Sequence, residues 1–183
     1  TCRLTHLSGF VHRGQVAFCA VMKPGRPDNS FWSLRLTQSQ LNEFINVTHK
    51  GRQLEMFNGY EAEGRVYYVA LISNQRSNGF RWEENLNQQQ VNQLVNVTGK
   101  DACLTHLYGY SVRGTPRFDA ILLKGARGVP WEESLSKAEL NQYLARYRTC
   151  RPVCLNGYQV KGQWKFSTFV DCRSATKFRW EET

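Results

Sequence analysis

Residues 58–71 read NGYEAEGRVYYVAL, two glycines five apart with an aromatic after the first and an apolar run after the second. Near-copies stand at 8–21 (SGFVHRGQVAFCAV), 108–121 (YGYSVRGTPRFDAI) and 156–169 (NGYQVKGQWKFSTF). Glycine tolerates the left-handed backbone that a tight reversal needs, so each copy reads as a β-hairpin. Four residues after the second glycine comes an aromatic: Phe18, Tyr68, Phe118 and Phe166. Two residues later stands a small one: Ala20, Ala70, Ala120 and Thr168. A step of two places both on one face of a strand, large beside small, as packing under a curved sheet or against a helix requires.

Outward from the hairpins, a tryptophan follows each one, at Trp32, Trp82, Trp131 and Trp180. The period is 48–50 residues, with three landmarks held in phase. Helix starts follow the first three tryptophans. TQSQ at 37–40, NQQQ at 87–90 and SKAE at 136–139 each fit a capping box, in which an N-cap side chain and the third helical residue satisfy one another's backbone N–H groups. Apolar residues then recur at helical spacing: Leu41, Phe44, Ile45; Val91, Leu94, Val95; Leu140, Tyr143, Leu144. The chain reads as one α+β domain, 1–183, of four tandem hairpin, Trp-loop and helix units at 2–51, 52–101, 102–150 and 151–183. The last unit lacks its helix. One hairpin cannot bury its own face, so the expectation is a stacked, curved antiparallel sheet or partial barrel with three helices on one face.

The pattern GR-x-L, GY then Gly, aromatic-x-Ala-Ile and Trp resembles the tandem repeats of secreted bacterial proteins and the N-terminal domain of fungal polyglycine hydrolases. The matching stretches are GRQLEMFNGYEAEGRVYYVALI and YGYSVRGTPRFDAILL, and all four units follow the pattern. The resemblance implies the fold and a secreted habit. It does not imply peptidase activity, because in those enzymes a separate domain carries it.

Composition points the same way. With 41% hydrophobic and 13% aromatic residues the chain is globular rather than disordered, and no apolar run of about 18 residues reads as a membrane span. The start at TCRLTH, with no apolar leader, fits a mature secreted chain. Six cysteines, Cys2, Cys19, Cys103, Cys150, Cys154 and Cys172, lack a CxxC or zinc-site spacing, so three disulfides are expected. Cys103 with Cys154 and Cys150 with Cys172 are candidate pairs. Acceptor sequons at Asn46 and Asn96 fit secretion and glycosylation. The net charge of +9 is scattered, with no run of three basic residues. For an extracellular chain that favours solubility or acidic glycans over nucleic acid.

No cofactor, metal or catalytic constellation is legible. Ser134 and Lys137 match S-x-x-K formally, but Ser136 caps the third helix and no partner motif follows. His6, His12, His49 and His106 have no carboxylate partner at a recognisable spacing. The candidate ligand residues are repeated: Arg81, Trp82 and Glu83; Trp131 and Glu132; Arg179, Trp180 and Glu181. An indole offers an apolar plate to a sugar face, and glutamate with arginine offers hydrogen bonds to hydroxyls. The alternative is that each tryptophan anchors the core. Unit one departs, with Ser33 and Leu34 in place of the glutamates. The expected function is a secreted, non-enzymatic carbohydrate-binding protein whose partners are glycans or glycoproteins. A protein-interaction module fits the same composition.

Overall fold

The computed structural model describes all residues except 26–28, 78, 99–101, 125–129 and 173–183. Four antiparallel hairpins follow one another: β1 (Cys2–His12) with β2 (Gln15–Pro24), β4 (Arg52–Ala62) with β5 (Arg65–Arg76), β7 (Ala102–Val112) with β8 (Thr115–Lys124), and β10 (Arg151–Val160) with β11 (Gln163–Asp171). Each reverses over two left-handed residues, such as Glu63 at φ 55° and Gly64 at φ 71°. Mirror-image turns of this kind match the twist of the strands they join. The reversal therefore uses only the second glycine. The first glycine of each pair is a mid-strand residue with another task.

Trp32, Trp82 and Trp131 lie on strands, not in loops. Strands β3 (Phe31–Leu36), β6 (Phe80–Leu86) and β9 (Trp131–Leu135) carry them. Each leaves its own hairpin and pairs with the second strand of the next. β3 lies on β5, β6 on β8 and β9 on β11. The result corrects the expectation of one curved sheet or partial barrel: among the described residues there are four separate small sheets, ordered β1-β2, β3-β5-β4, β6-β8-β7 and β9-β11-β10. Strands handed forward take the outer edges of β5, β8 and β11, and the inner strands β1, β4, β7 and β10 meet through side chains at their glycines rather than by a ladder.

They join through side chains instead. A Cβ on Gly9 would fall 2.6 Å from Tyr60 Cδ1, and one on Gly59 would fall 2.5 Å from Tyr110 Cζ. Tyr158 covers Gly109 in the same way. A glycine inside a strand is tolerated where another group must come this close. The bare backbone is also hydrogen-bonded. Gly59 N–H donates to Asp119 Oδ2 at 2.6 Å, and Gly109 N–H donates to Asn156 Oδ1 at 2.8 Å.

Three helices complete the core: α1 (Gln38–Glu43, continued by a π-helical turn over Phe44–Thr48), α2 (Gln88–Thr98) and α3 (Lys137–Arg146). All three capping boxes form, from Thr37 with Gln40, Asn87 with Gln90 and Ser136 with Glu139. The apolar stripes are buried where the spacing places them. Leu41 and Ile45 pack on Tyr68, Ala70 and Ile72, and Val91 and Leu94 join the cluster of Phe118, Ala120 and Leu122. Leu140, Tyr143 and Leu144 pack with Val170.

The glycine contact yields a first prediction. Gly59→Ala pushes a methyl into the Tyr110 ring and should destabilise by about 1–3 kcal/mol, a fall of roughly 3–10 °C in Tm. At Gly157 the nearest atom to a new Cβ is Phe166 Cε1, 3.2 Å away, so Gly157→Ala should cost less. Thermal melts of the two variants compare them directly.

Candidate functional site

The inner strands of all four hairpins converge on one open cleft of about 550 Å³. Its floor is the row of paired residues Gly9-Phe10, Gly59-Tyr60, Gly109-Tyr110 and Gly157-Tyr158. Three tyrosines are held down by their hydroxyls. Tyr60 donates to Leu34 O at 3.0 Å, Tyr110 to Asp119 Oδ1 at 3.3 Å, and Tyr158 shares a 3.0 Å hydrogen bond with Ser134 Oγ. These rings are buried, so they build the cleft more than they fill it.

The side chains open to a ligand are others. Phe10 on β1 is 44% exposed and Trp164 on β11 is 57% exposed, and both border the cleft. Asn58, Glu61, Asn156 and Gln159 also line the cleft. Asn58 is buried, and its Nδ2 donates to Gly9 O at 3.5 Å and Gly59 O at 3.3 Å. Its Oδ1 is itself buried and has no hydrogen-bond partner among the described residues. Buried acceptors are seldom left so.

Of the ligand residues expected from the sequence, the described ones, Arg81, Trp82, Glu83, Trp131 and Glu132, do not line this cleft. Trp82 is half-buried on β6, edge-on to Phe57 with ring centroids 5.4 Å apart. Arg81 and Glu83 beside it form a 2.8 Å ion pair. Trp131 is half-buried on β9 against the largest core cluster, and Glu132 next to it is exposed. Arg179, Trp180 and Glu181 lie outside the described residues. Trp32 is exposed, in the unit that lacks the glutamates. Trp164 was not among the expected residues because it stands out of phase with the other four tryptophans. That departure from the period is the one sequence signal that marks it.

The expectation of three disulfides needs correction. Cys150 and Cys172 are bonded, while Cys2, Cys19 and Cys154 are free thiols, so the expected Cys103–Cys154 pair is not made. Cys154 Sγ lies against Leu107 O on β7, four residues along from Cys103. At about 3.3 Å per residue that is roughly 13 Å, beyond the reach of a disulfide. Cys2 faces Pro24 across its hairpin while Cys19 faces Ser8, roughly 20 Å further along the strand. Burial pushes the Cys154 thiol up to about 12. Two histidines are structural in their contacts: His106 stacks on Tyr108 and His6 lies tilted against the same ring, and burial lowers the pKa of both. Among the described residues no group of three or more His, Cys, Asp or Glu side chains is placed to hold a metal ion.

Asp119 joins the second and third hairpins from a fully buried position. It accepts from Gly59 N–H, from Asn85 N–H at 3.0 Å and from the Tyr110 hydroxyl. Burial nonetheless pushes its carboxyl up to about 8 from an ordinary 3.8, with the Asn85 and Gly59 hydrogen bonds opposing. Between those two values the unfolded chain releases a proton that the folded chain keeps. Stability from this group is therefore full below about pH 4 and is lost as pH rises towards 8. Wild type should lose stability relative to Asp119→Asn between pH 5 and 8, by at most about 1.4 kcal/mol per pH unit, in paired denaturant titrations. No family model, curated protein or solved structure matches the chain.

Proposed function

We propose that this is a secreted, non-enzymatic carbohydrate-binding protein that takes a short oligosaccharide in the cleft between the four hairpins. The observation that carries the reading is the mixture at the cleft: the exposed aromatic side chains of Phe10 and Trp164 together with the amide side chains of Asn156 and Gln159. A sugar presents the same mixture, an apolar C–H face and a ring of hydroxyls. Side-chain amides both donate and accept, which suits hydroxyls better than it suits a charged or wholly apolar ligand. The surplus of positive charge adds attraction to acidic glycans.

The Cys150–Cys172 disulfide is compatible with secretion, and no described helix is long and apolar enough to cross a membrane. Asn46 and Asn96 are exposed on the first and second helical segments. On this reading the chain is a relative of the repeat domains that its hairpin motif resembles. A second location for the same activity is favoured by the Arg81–Glu83 ion pair beside the half-exposed Trp82.

A glycan array at physiological salt, repeated at high salt, tests the proposal. Binding to a defined sugar that persists in salt supports it. Binding confined to sulfated glycans and lost in salt overturns it, as does capture of a protein partner that survives deglycosylation while no sugar binds. With the sugar in hand, Trp164→Ala should weaken binding roughly tenfold, about 1.4 kcal/mol, with little change in Tm. Trp82→Ala should lower Tm by opening a space against Phe57, and weakens sugar binding only if the outer location is the true one. Expression through a secretory pathway should add two N-glycans, seen as two mass steps on enzymatic deglycosylation.

A further inference from the structure

The residue two places after the first glycine of each hairpin stands on the same face of its strand as that glycine. It is Val11, Glu61, Ser111 or Gln159, and all four line the cleft. The glycines repeat, and tyrosine follows three of them, because the joints between hairpins are made by these two residue types. The residues two places on do not repeat: one is apolar, one a carboxylate, one a hydroxyl and one an amide. The molecule is constant where it builds the cleft and varied at a matched position along it.

Glu61 is the acidic member of this set. It is half-buried near the end of β4, and its Oε2 accepts the backbone N–H of Arg113, in the turn of the third hairpin, at 2.6 Å. That bond fixes where the carboxylate stands. It does not exhaust it, since an ionised carboxylate accepts at both oxygens, with about four lone-pair sites. Phe10 and Trp164 bring exposed aromatic side chains to the same cleft. A positioned carboxylate together with open aromatic side chains suits an ammonium group. The carboxylate takes charge-assisted hydrogen bonds, roughly twice as strong as those from a neutral hydroxyl, and ring faces attract cations. The net charge of +9 opposes this only weakly, because physiological salt screens exposed charges beyond roughly 8 Å.

We propose that Glu61 binds an ammonium group of the ligand, and that the oligosaccharide taken by the cleft contains amino sugars with free amines. This rests on the carbohydrate reading of the cleft and narrows it to a chemical class. The C–H faces of the sugar rings then lie on Phe10 and Trp164, the hydroxyls meet Ser111, Asn156 and Gln159, and Glu61 distinguishes the amine from its acetylated form.

Titration of the full chain with a glucosamine tetramer and with its N-acetylated counterpart, at mildly acidic pH where the amine carries its proton, tests this. The wild type should bind the amine form at least roughly tenfold more tightly. Glu61→Gln keeps an acceptor for the Arg113 N–H and removes the charge, so it should melt as the wild type does and bind the two tetramers alike. The wild-type comparison reads the amine preference without any variant. Equal affinity, or a preference for the acetylated form, overturns the proposal and leaves the carbohydrate reading standing. An amine preference that survives in folded Glu61→Gln overturns the role of Glu61. Failure of both tetramers while other glycans bind on the array overturns the amino-sugar class alone, and failure of every glycan overturns the carbohydrate reading with it.

Discussion

A tyrosine ring laid on a bare glycine backbone is the contact on which the other features rest. It occurs between each consecutive pair of hairpins, Tyr60 on Gly9, Tyr110 on Gly59 and Tyr158 on Gly109. Because the joint is made by a ring and not by a ladder, the hairpins stay separate sheets. Because the ring needs a glycine, the strand interior gives up a side chain at the same place in every hairpin. The polar groups nearby follow from that choice. Asp119 and Asn156 receive the Gly59 and Gly109 N–H groups that a ladder would have taken, and three tyrosine hydroxyls are tied to neighbouring strands or side chains. The cleft is the concave side of this row of joints.

The features legible in the sequence were the local ones. A two-residue reversal, a capping box and an apolar stripe each depend on residues within one or two turns of chain, and all are where the spacing places them. The destination of the tryptophan strands is non-local. Nothing within FWSLRL or FRWEE says which hairpin edge it will occupy, since its own and the next hairpin offer similar apolar faces. The loop reading of these segments failed for the same reason. The first glycine of each pair was read as part of the turn, because its real partner lies about fifty residues away.

The cysteines and the site show the same limit from another side. Cys103 and Cys154 occupy neighbouring first strands, but the stagger between β7 and β10 sets them several residues apart, and stagger is not written in either strand alone. Phe10 and Trp164 come together only because the first and last hairpins line one cleft. The search for a repeated site pointed to residues in phase. The surface that opens to solvent is built where the period breaks, at Phe10 in place of a tyrosine and at Trp164 with no counterpart.

Handing a strand forward also means that the sequence period and the sheet are out of step. The segment 52–101 begins with a hairpin whose third strand belongs to 2–51 and ends with a strand and helix that cover the hairpin of 102–150. A cut between residues 51 and 52 would free no module. It would strip one sheet of an edge and leave an orphan strand and helix on the other fragment. The chain should accordingly fold as one cooperative body and tolerate nicking or circular permutation poorly at the unit boundaries, where a string of independent repeats would tolerate it best. Gain or loss of a unit by recombination would preserve every sheet only if the crossover fell within the hairpin-to-strand connection, not where the sequence repeat begins.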